Sequence, residues 1–298
     1  MEGYKRVYRL LFVGGDGRQL RAANRAAENG AKISVLGFSE ENTQKMPESV
    51  SRLENINDRE FDYTAVVLPL PYTTDGENIN APQMKRKLPV TELFQKLPAE
   101  CCVLAGKCDS TLRKLAESKN ITLIDYFDRE DLQILNAIPT AEGAIQIAMQ
   151  EAPFTLHSSK CLIIGNGRIG KILAKMLHGI GAEVTVAARK RKDIVQVFAY
   201  GYKSISTGEL YDNIGGYDII FNTAPSLILD FDLLSKTRRD CLVIDLASKP
   251  GGVDFETARK MGIKVIWALS LPGKVAPHTA GDIIGKTILS ILSELEAR

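Results

Sequence analysis

The stretch LIIGNGRIG, residues 162–170, has the spacing of a loop that binds a nucleotide phosphate. An apolar run stops at its first glycine, and the pattern G-x-G-x-x-G opens the helical stretch RIGKILAKMLHGIG. The first glycine of such a loop permits a tight turn, the second admits the pyrophosphate, and the third lets the helix pack on the strand. A plain strand–turn–helix connection is the alternative, but the βαβ context favours a dinucleotide site. The predicted contacts are Gly165, Asn166, Gly167, Arg168, Ile169 and Gly170.

The end of the next strand indicates which dinucleotide binds. Sites for NAD usually place an acidic residue there, where it accepts hydrogen bonds from the ribose hydroxyls. This strand ends in AAR, and the basic run RKRK occupies residues 189–192 instead. Arg189 and Lys190 could bind a 2′-phosphate, which favours NADP over NAD, although NAD stays possible. A solvated basic turn without a partner is the alternative.

The elements around this loop alternate apolar runs with helical patterns, which is typical of βαβ units and a parallel sheet. The predicted strands of the first half are residues 8–14, 32–37, 65–69, 101–106 and 121–125. Those of the second half are residues 160–165, 183–188, 203–205, 217–222, 241–247 and 264–268. The fold class is therefore α/β, with two Rossmann-like, doubly wound parallel-sheet domains.

Two helical segments are predicted to join these halves. Pro139 should break any helix within residues 129–153, and Thr140 with Glu142 favours a restart after it. The expected division is an N-terminal domain over 1–138, a nucleotide-binding domain over 139–278, and a C-terminal helix over 279–298 that packs back on the first domain. A cleft between the domains is the expected active site.

Composition excludes several classes of function. Lys+Arg number 38 against 36 Asp+Glu, without the basic excess that nucleic-acid binding usually requires. We expect no membrane span, since no apolar run approaches about 20 residues, and the short run LLFV is not a signal peptide. The five cysteines show no C-x-x-C pair or metal-ligand spacing, so we expect no metal site and a reduced, cytoplasmic chain.

Several motifs together resemble the A subunits of dipicolinate synthases, and the resemblance runs nearly from end to end. These motifs are GGDGRQL (14–20), FDREDLQILNAIPTAEGAI (127–145), GNGRIGK (165–171), NTAPSLIL (222–229), DLASKPGGVDF (245–255) and LPGKVAPHTAG (271–281). The resemblance implies NADP-dependent oxidation of dihydrodipicolinate to dipicolinate, in the mother-cell cytoplasm of a sporulating bacterium. It also implies that the partner is a flavoprotein-like B subunit, and we expect a homo-oligomer.

The resemblance further implies an architecture similar to the D-2-hydroxyacid dehydrogenases, with two domains joined by bridging helices. The chain lacks a clear Arg, Glu and His triad at the positions those enzymes use. We therefore do not infer the hydroxyacid reaction of those enzymes from this similarity. In the second domain, residues that follow the predicted strands should lie near the nicotinamide half of the cofactor. They are Asn222, Thr223, Ala224, Pro225, Asp245, Ser248, Leu271 and Pro272, the last two in a loop similar to one that closes over nicotinamide.

The implied reaction needs ligands for a dianionic ring and one group that accepts a proton. Arg18, in the turn after the first strand, is the leading carboxylate ligand, and Lys107 is the second; a surface arginine at a helix start is the alternative for Arg18. Candidates for the base are Asp245 and His278, with Glu142 at the expected helix restart. Asp245 could equally be a buried carboxylate bonded to loop amides, Glu142 a helix-start carboxylate, and His278 a surface residue at a helix start.

Two other functions remain open from the sequence. One is an NAD(P)-dependent reductase of another small carboxylate, such as a 2-hydroxy acid. The other is a non-catalytic NADP-binding subunit that scaffolds or regulates a partner. Turnover by the isolated chain distinguishes the second from an enzyme.

Overall fold

A computed structural model describes residues 7–44, 46–56 and 61–297. The chain forms two compact units, Met1–Leu135 with Ala276–Arg298, and Asn136–Val275. Each unit contains one six-stranded parallel sheet with helices on its faces. This arrangement confirms the predicted α/β class with two Rossmann-like domains.

The sheet of the first unit has the strand order β3-β2-β1-β4-β5-β6. Its strands are β1 (Arg9–Val13), β2 (Lys32–Leu36), β3 (Val50–Leu53), β4 (Ala65–Val67), β5 (Cys102–Ala105) and β6 (Thr122–Asp125). The helices that follow them are α1 (Gly17–Glu28), α2 (Glu40–Thr43), α3 (Val90–Lys96) and α4 (Ser110–Ser118). Asn29 is the C-cap of α1, and Gly30 follows in a left-handed conformation, which is common after the end of a helix.

Strand β3 is absent from the sequence prediction, which has only five strands in this unit. The strand is four residues long at the edge of the sheet, and three of its residues are only partly buried. Its sequence VSRL lacks the continuous apolar run that a strand buried on both faces requires. Strand β1, by contrast, has four consecutive residues that are completely buried.

The sheet of the second unit has the order β12-β11-β10-β7-β8-β9. Its strands are β7 (Lys160–Ile164), β8 (Glu183–Ala188), β9 (Lys203–Ser206), β10 (Ile219–Asn222), β11 (Leu242–Asp245) and β12 (Lys264–Trp267). The chain enters this unit through α5 (Glu130–Glu151), and later helices are α6 (Arg168–Ile180), α7 (Arg191–Ala199), α8 (Leu210–Asn213), α9 (Phe231–Lys236), α10 (Phe255–Met261) and α11 (Leu271–Val275). All six predicted strands are present. Strand order reverses beside β7, which is where α/β sheets of this kind bind ligands.

Helix α5 corrects the prediction of a break at Pro139. The helix runs without interruption from Glu130 to Glu151 and contains the proline. A proline inside a helix costs about 3 kcal/mol, because it removes one backbone hydrogen bond. Burial compensates for this cost, since Ala137, Ala141, Ala144 and Ala148 are at most 2% exposed along one helical face. The expected restart is therefore wrong, and the Thr140 hydroxyl donates to the Asn136 carbonyl within the same helix.

The C-terminal helix α12 (Pro277–Glu296) packs against α1 in the first unit. Two glycines four residues apart make this contact close. A Cβ atom at Gly281 would lie 2.5 Å from the Arg18 carbonyl oxygen, and one at Gly285 would lie 2.9 Å from the Ala22 carbonyl oxygen. The Arg21 side chain also pairs with Asp282 across the two helices, at 2.7 Å. Small residues thus fix how near the two backbones come.

Replacing Gly285 by alanine should lower the free energy of unfolding by about 1–3 kcal/mol, the usual cost of overpacking. The new methyl group would meet the α1 backbone, which cannot move away without disturbing the core. Chemical denaturation followed by circular dichroism measures the change. Lys286→Ala, at an exposed position of the same helix, is the control and should stay within about 0.5 kcal/mol. Equal stabilities of the two variants would contradict the close approach.

Among the described residues, no helix combines the length and apolar character that crossing a membrane requires. Cys161 and Cys241 are buried in the second unit, and burial raises the pKa of the first thiol to about 11 and of the second to about 12. In the same ranges, no group of three His, Cys, Asp or Glu side chains is placed to hold a metal ion.

Candidate functional site

The glycine loop of the second unit connects β7 to α6. Gly165 has a φ of +108°, a conformation that glycine adopts without strain. Its amide donates to the Ala187 carbonyl of β8 at 2.9 Å, and a Cβ atom there would lie 2.5 Å from the Thr223 hydroxyl oxygen. The tight turn predicted for this glycine is therefore present, and it is closed on one side by the loop after β10.

The other two glycines have the geometry that their spacing predicted. A Cβ atom at Gly170 would lie 2.1 Å from the Gly165 carbonyl oxygen, so only glycine lets α6 pack this closely on the turn. Gly167 is the N-cap of α6, and a Cβ atom there would have no neighbour within 4 Å. It is exposed, which leaves its backbone open to a phosphate.

The start of α6 can receive an anion. No side chain caps this helix, and its first turn contains no acidic residue. Its first amides therefore lack partners within the helix and carry the positive end of the helix dipole. Helix α1 of the first unit differs, because the Asp16 side chain accepts from the Arg18 amide and occupies the equivalent position. The start of α1 is thus occupied by a carboxylate, whereas the start of α6 is not.

The basic run follows β8 at the edge where that strand ends. Arg189 and Lys190 are both exposed, and Lys190 is the N-cap residue of α7. The glycine loop is tied to the same helix, since the Asn166 side chain donates to Gln196 at 3.3 Å. The last residue of β8 is Ala188, so the place where NAD sites usually carry a carboxylate is apolar here.

Two completely buried polar side chains end the neighbouring strands β10 and β11. Asn222 and Asp245 are paired in the sheet register, and the Asn222 amide donates to the Asp245 carboxylate at 2.8 Å. Asp245 also accepts from the amides of Ala247 at 3.0 Å and Gly252 at 2.8 Å. The carboxylate is therefore engaged by three donors, which favours the alternative of a buried, turn-anchoring Asp over a base.

The loop after β10 lies against the same network. The Ala224 amide donates to the Asn222 side chain at 3.2 Å, and the Thr223 hydroxyl donates to the Ile164 carbonyl of β7 at 2.9 Å. Pro225 follows and is exposed, as is Ser248 after β11. The structure thus brings the predicted cofactor residues of strands β7, β10 and β11 to one edge of one sheet.

The predicted loop at Leu271 and Pro272 is instead the first turn of α11. Both side chains are buried, and Leu271 is 3% exposed. A Cβ atom at Gly143 of α5 would lie 3.1 Å from the Leu271 Cβ atom, so the turn packs on that helix. An apolar pair followed by glycine cannot be distinguished from a loop by sequence, because the packing partner lies more than a hundred residues away.

Comparisons with known proteins identify the family of this chain. A family model for the N-terminal domain of the dipicolinate synthase A subunit matches residues 9–127, and one described as "Shikimate / quinate 5-dehydrogenase" matches residues 146–267. The A subunit of dipicolinate synthase from Bacillus subtilis (strain 168) is 33% identical over 291 residues, 97% of this chain and 97% of the relative. The chain belongs to the family of dipicolinate synthase A subunits.

Two solved structures of this family share the fold. The crystal structure of the dipicolinate synthase A subunit from Bacillus subtilis has a TM-score of 0.89 at 32% identity, covering 98% of each chain. That of the A subunit from Bacillus halodurans has a TM-score of 0.88 at 31% identity, covering 96% of this chain and 97% of the other. The dehydrogenase-like fold of the second unit fits an NAD(P)-dependent oxidoreductase and implies a nicotinamide cofactor.

In the first unit, Arg18 is held in one orientation. Its guanidinium donates to Asp16 at 2.8 Å and to the Leu70 carbonyl at 2.7 Å, and its side chain is 13% exposed. Asp16 thereby supplies the compensation that a cation at a helix start requires. Sequence reasoning missed this pair, although an Asp two residues before the Arg is an N-cap signal.

Lys107 lies at the carboxyl end of β5, where its backbone has a φ of +65°. The turn is held by the Asp125 carboxylate, which accepts from the amides of Lys107 at 2.9 Å and Cys108 at 2.5 Å. The lysine side chain is exposed. Asp125 was not singled out from the sequence, since its partners follow a different strand.

The remaining predicted residues are exposed and lie on helices. Glu142 is in the middle of α5 rather than at a helix start, and His278 is in the first turn of α12. Two tyrosines that are buried in the described part of the first unit are hydrogen-bond donors: Tyr126 to the Leu68 carbonyl at 3.0 Å and Tyr72 to Asp109 at 2.8 Å. Burial raises the pKa of both phenols well above the usual value.

Proposed function

We propose that this chain is the A subunit of a dipicolinate synthase and catalyses the NADP-dependent oxidation of dihydrodipicolinate to dipicolinate. The observation that carries this proposal is the uncapped start of α6 behind Gly165 and Gly170, in a chain related to one family along 97% of its length. In this reaction the ring loses a hydride and a proton, and the products are dipicolinate, NADPH and H⁺. NADP⁺, when bound, accepts the hydride.

The residues at the sheet edge fit this cofactor. The first amides of α6 and the open backbone at Gly167 would bind the pyrophosphate. Arg189 and Lys190 would bind the 2′-phosphate, and the absence of a carboxylate at the end of β8 supports NADP over NAD. Thr223, Ala224 and the Asn222–Asp245 network would shape the site for the nicotinamide half.

Substrate binding requires cations, because dihydrodipicolinate carries two carboxylates. We propose Arg18 as a carboxylate ligand, since its pairing with Asp16 and Leu70 fixes the guanidinium before substrate arrives. Lys107 is the second candidate in the same unit. His278 and Glu142 remain the candidates for the proton acceptor, because both are exposed and Asp245 has its carboxylate fully engaged.

Family membership supports the remaining proposals. The relatives in Bacillus subtilis and Bacillus halodurans are themselves A subunits, which supports a separate B subunit in the complex. We propose a hetero-oligomer with a flavoprotein-like B subunit, homo-oligomerisation of this chain, and action in the mother-cell cytoplasm during sporulation.

A turnover assay tests the proposed reaction. Dihydrodipicolinate would be generated in situ by its upstream synthase, with NADP⁺ or NAD⁺, and with or without the B subunit. Reduced nicotinamide and dipicolinate would both be measured. Product from this chain alone places the catalytic groups within it, and product only with the B subunit indicates a shared site.

Two outcomes would favour other functions. Tight NADPH binding without product in either condition would favour a regulatory or scaffolding subunit. Oxidation of 2-hydroxy acids in the absence of dipicolinate formation would favour a dehydrogenase of another small carboxylate.

A further inference from the structure

The turn over residues 246–252, after β11, is rigidly held. Asp245 accepts from the amides of Ala247 and Gly252, and the Gly251 amide donates to the Ser248 carbonyl at 2.9 Å between them. The Trp267 indole donates to the Ala247 carbonyl at 2.9 Å. The Asp245 carboxylate, which is completely buried, thus holds the backbone of residues 247–252.

The same turn is joined to the loop after β10. The amides of Ile228 and Leu229 both donate to the Gly252 carbonyl at 3.0 Å. A Cβ atom at Gly252 would lie 2.1 Å from the Asn222 side-chain nitrogen, so the turn approaches the end of β10 more closely than any residue with a side chain would allow. The turn and the loop form one platform at the carboxyl ends of β10 and β11.

This platform lies on the nicotinamide side of the proposed cofactor site. The basic residues that would bind the 2′-phosphate follow β8, on one side of β7, whereas β10 and β11 lie on the other side. A dinucleotide extends across the point where strand order reverses, with its pyrophosphate at the helix start after β7. Its nicotinamide end therefore points toward the platform.

The platform contains one basic residue. Residues 223–230 and 246–252 contain no arginine and a single lysine, Lys249. Lys249 is exposed, and within the ranges that the structure describes its ammonium group has neither a hydrogen bond nor an ion pair. The two acidic residues nearby in sequence are already used: Asp245 by the turn, and Asp254 by the cap of α10, where it accepts from Thr257.

We propose that Lys249 binds one carboxylate of the ring substrate on the nicotinamide side of the site. This inference rests on the proposed function and extends it to a residue of the second unit. A dianionic ring held beside the nicotinamide requires a cation there, and an ammonium group on a preorganised turn supplies one with little loss of backbone entropy. The sequence signal was a lysine in a Pro-Gly turn after a strand, which alone does not differ from a solvated turn.

Calorimetric titration with pyridine-2,6-dicarboxylate, the proposed product, tests the inference on the full chain saturated with NADPH. Lys249→Met should weaken its binding by about tenfold to a hundredfold, the usual effect of losing one charge-assisted hydrogen bond. Lys249→Arg should restore most of the affinity. Lys175→Met, at an exposed position of α6, removes the same charge from the same unit and should leave the affinity unchanged.

NADPH binding by all variants, followed by fluorescence, verifies that the second unit is folded. If the wild-type chain binds the dicarboxylate and Lys249→Met binds it equally well, the role of Lys249 is overturned and the proposed function stands. If the NADPH-bound wild-type chain does not bind the dicarboxylate with the B subunit present, the proposed function fails, and the role of Lys249 fails with it.

Discussion

Replacing Arg189 by Asp and Lys190 by Ala should weaken NADPH binding by about a hundredfold or more. Each charge-assisted hydrogen bond contributes about 1.5–3 kcal/mol, and the new carboxylate would repel the 2′-phosphate. NADH binding should change little or improve, because an Asp at position 189, directly after β8, can accept hydrogen bonds from the ribose hydroxyls. Fluorescence titration of the double variant with both reduced cofactors measures the change in preference.

A matched double variant distinguishes direct contact with the 2′-phosphate from the general effect of positive charge on NADPH binding. Arg191→Asp with Lys192→Ala changes the charge equally within the same run, but both residues lie in the first turn of α7 rather than directly after β8. The control keeps the two side chains that are proposed to contact the 2′-phosphate and changes only neighbouring charges. The control should therefore lose much less NADPH affinity. Equal losses for NADPH and NADH in the Arg189 and Lys190 variant would contradict the 2′-phosphate assignment.

Most of the fold could be predicted because parallel strands buried on both faces are continuous apolar runs. Strand β3 could not, since its burial comes from one neighbour at the edge of the sheet rather than from its own composition. Helix α5 is a second case in which tertiary contacts override the local sequence pattern. Pro139 is a strong local signal for a break, but burial of the alanine face of α5 outweighs it. Local rules fail where tertiary contacts supply the larger free energy.

The candidate site likewise contains features that the sequence could predict and features that it could not. The turn at Gly165 and the close packing at Gly170 follow from the glycine spacing, because each depends on the strand, turn and helix immediately around it. The contacts of Asp245 could not be predicted from the sequence. Its partner Asn222 is 23 residues away and meets it only through the register of β10 and β11. The sequence left open whether this carboxylate is a base or a buried anchor. Only the count of its donors favours the anchor.

Gly170→Ala should lower the free energy of unfolding by about 1–3 kcal/mol or more, and it should also weaken NADPH binding at least tenfold. A methyl group at this position would lie 2.1 Å from the Gly165 carbonyl oxygen, a distance that no side-chain rearrangement can relieve, because both atoms belong to the backbone frame. The start of α6 must then move away from the turn. Since the same amides are proposed to bind the pyrophosphate, stability and affinity should fall together.

Gly179→Ala provides the opposite expectation on the same helix. Gly179 is exposed near the end of α6, and a Cβ atom there would have no neighbour within 4 Å. An alanine should therefore stabilise the chain by about 0.4–1 kcal/mol, because it restricts the unfolded chain and favours the helix. NADPH affinity should not change. Denaturation and NADPH titration of both variants form the test: if Gly170→Ala were as stable as Gly179→Ala and bound NADPH as tightly, the close contact between Gly165 and Gly170 could not be what shapes the phosphate site.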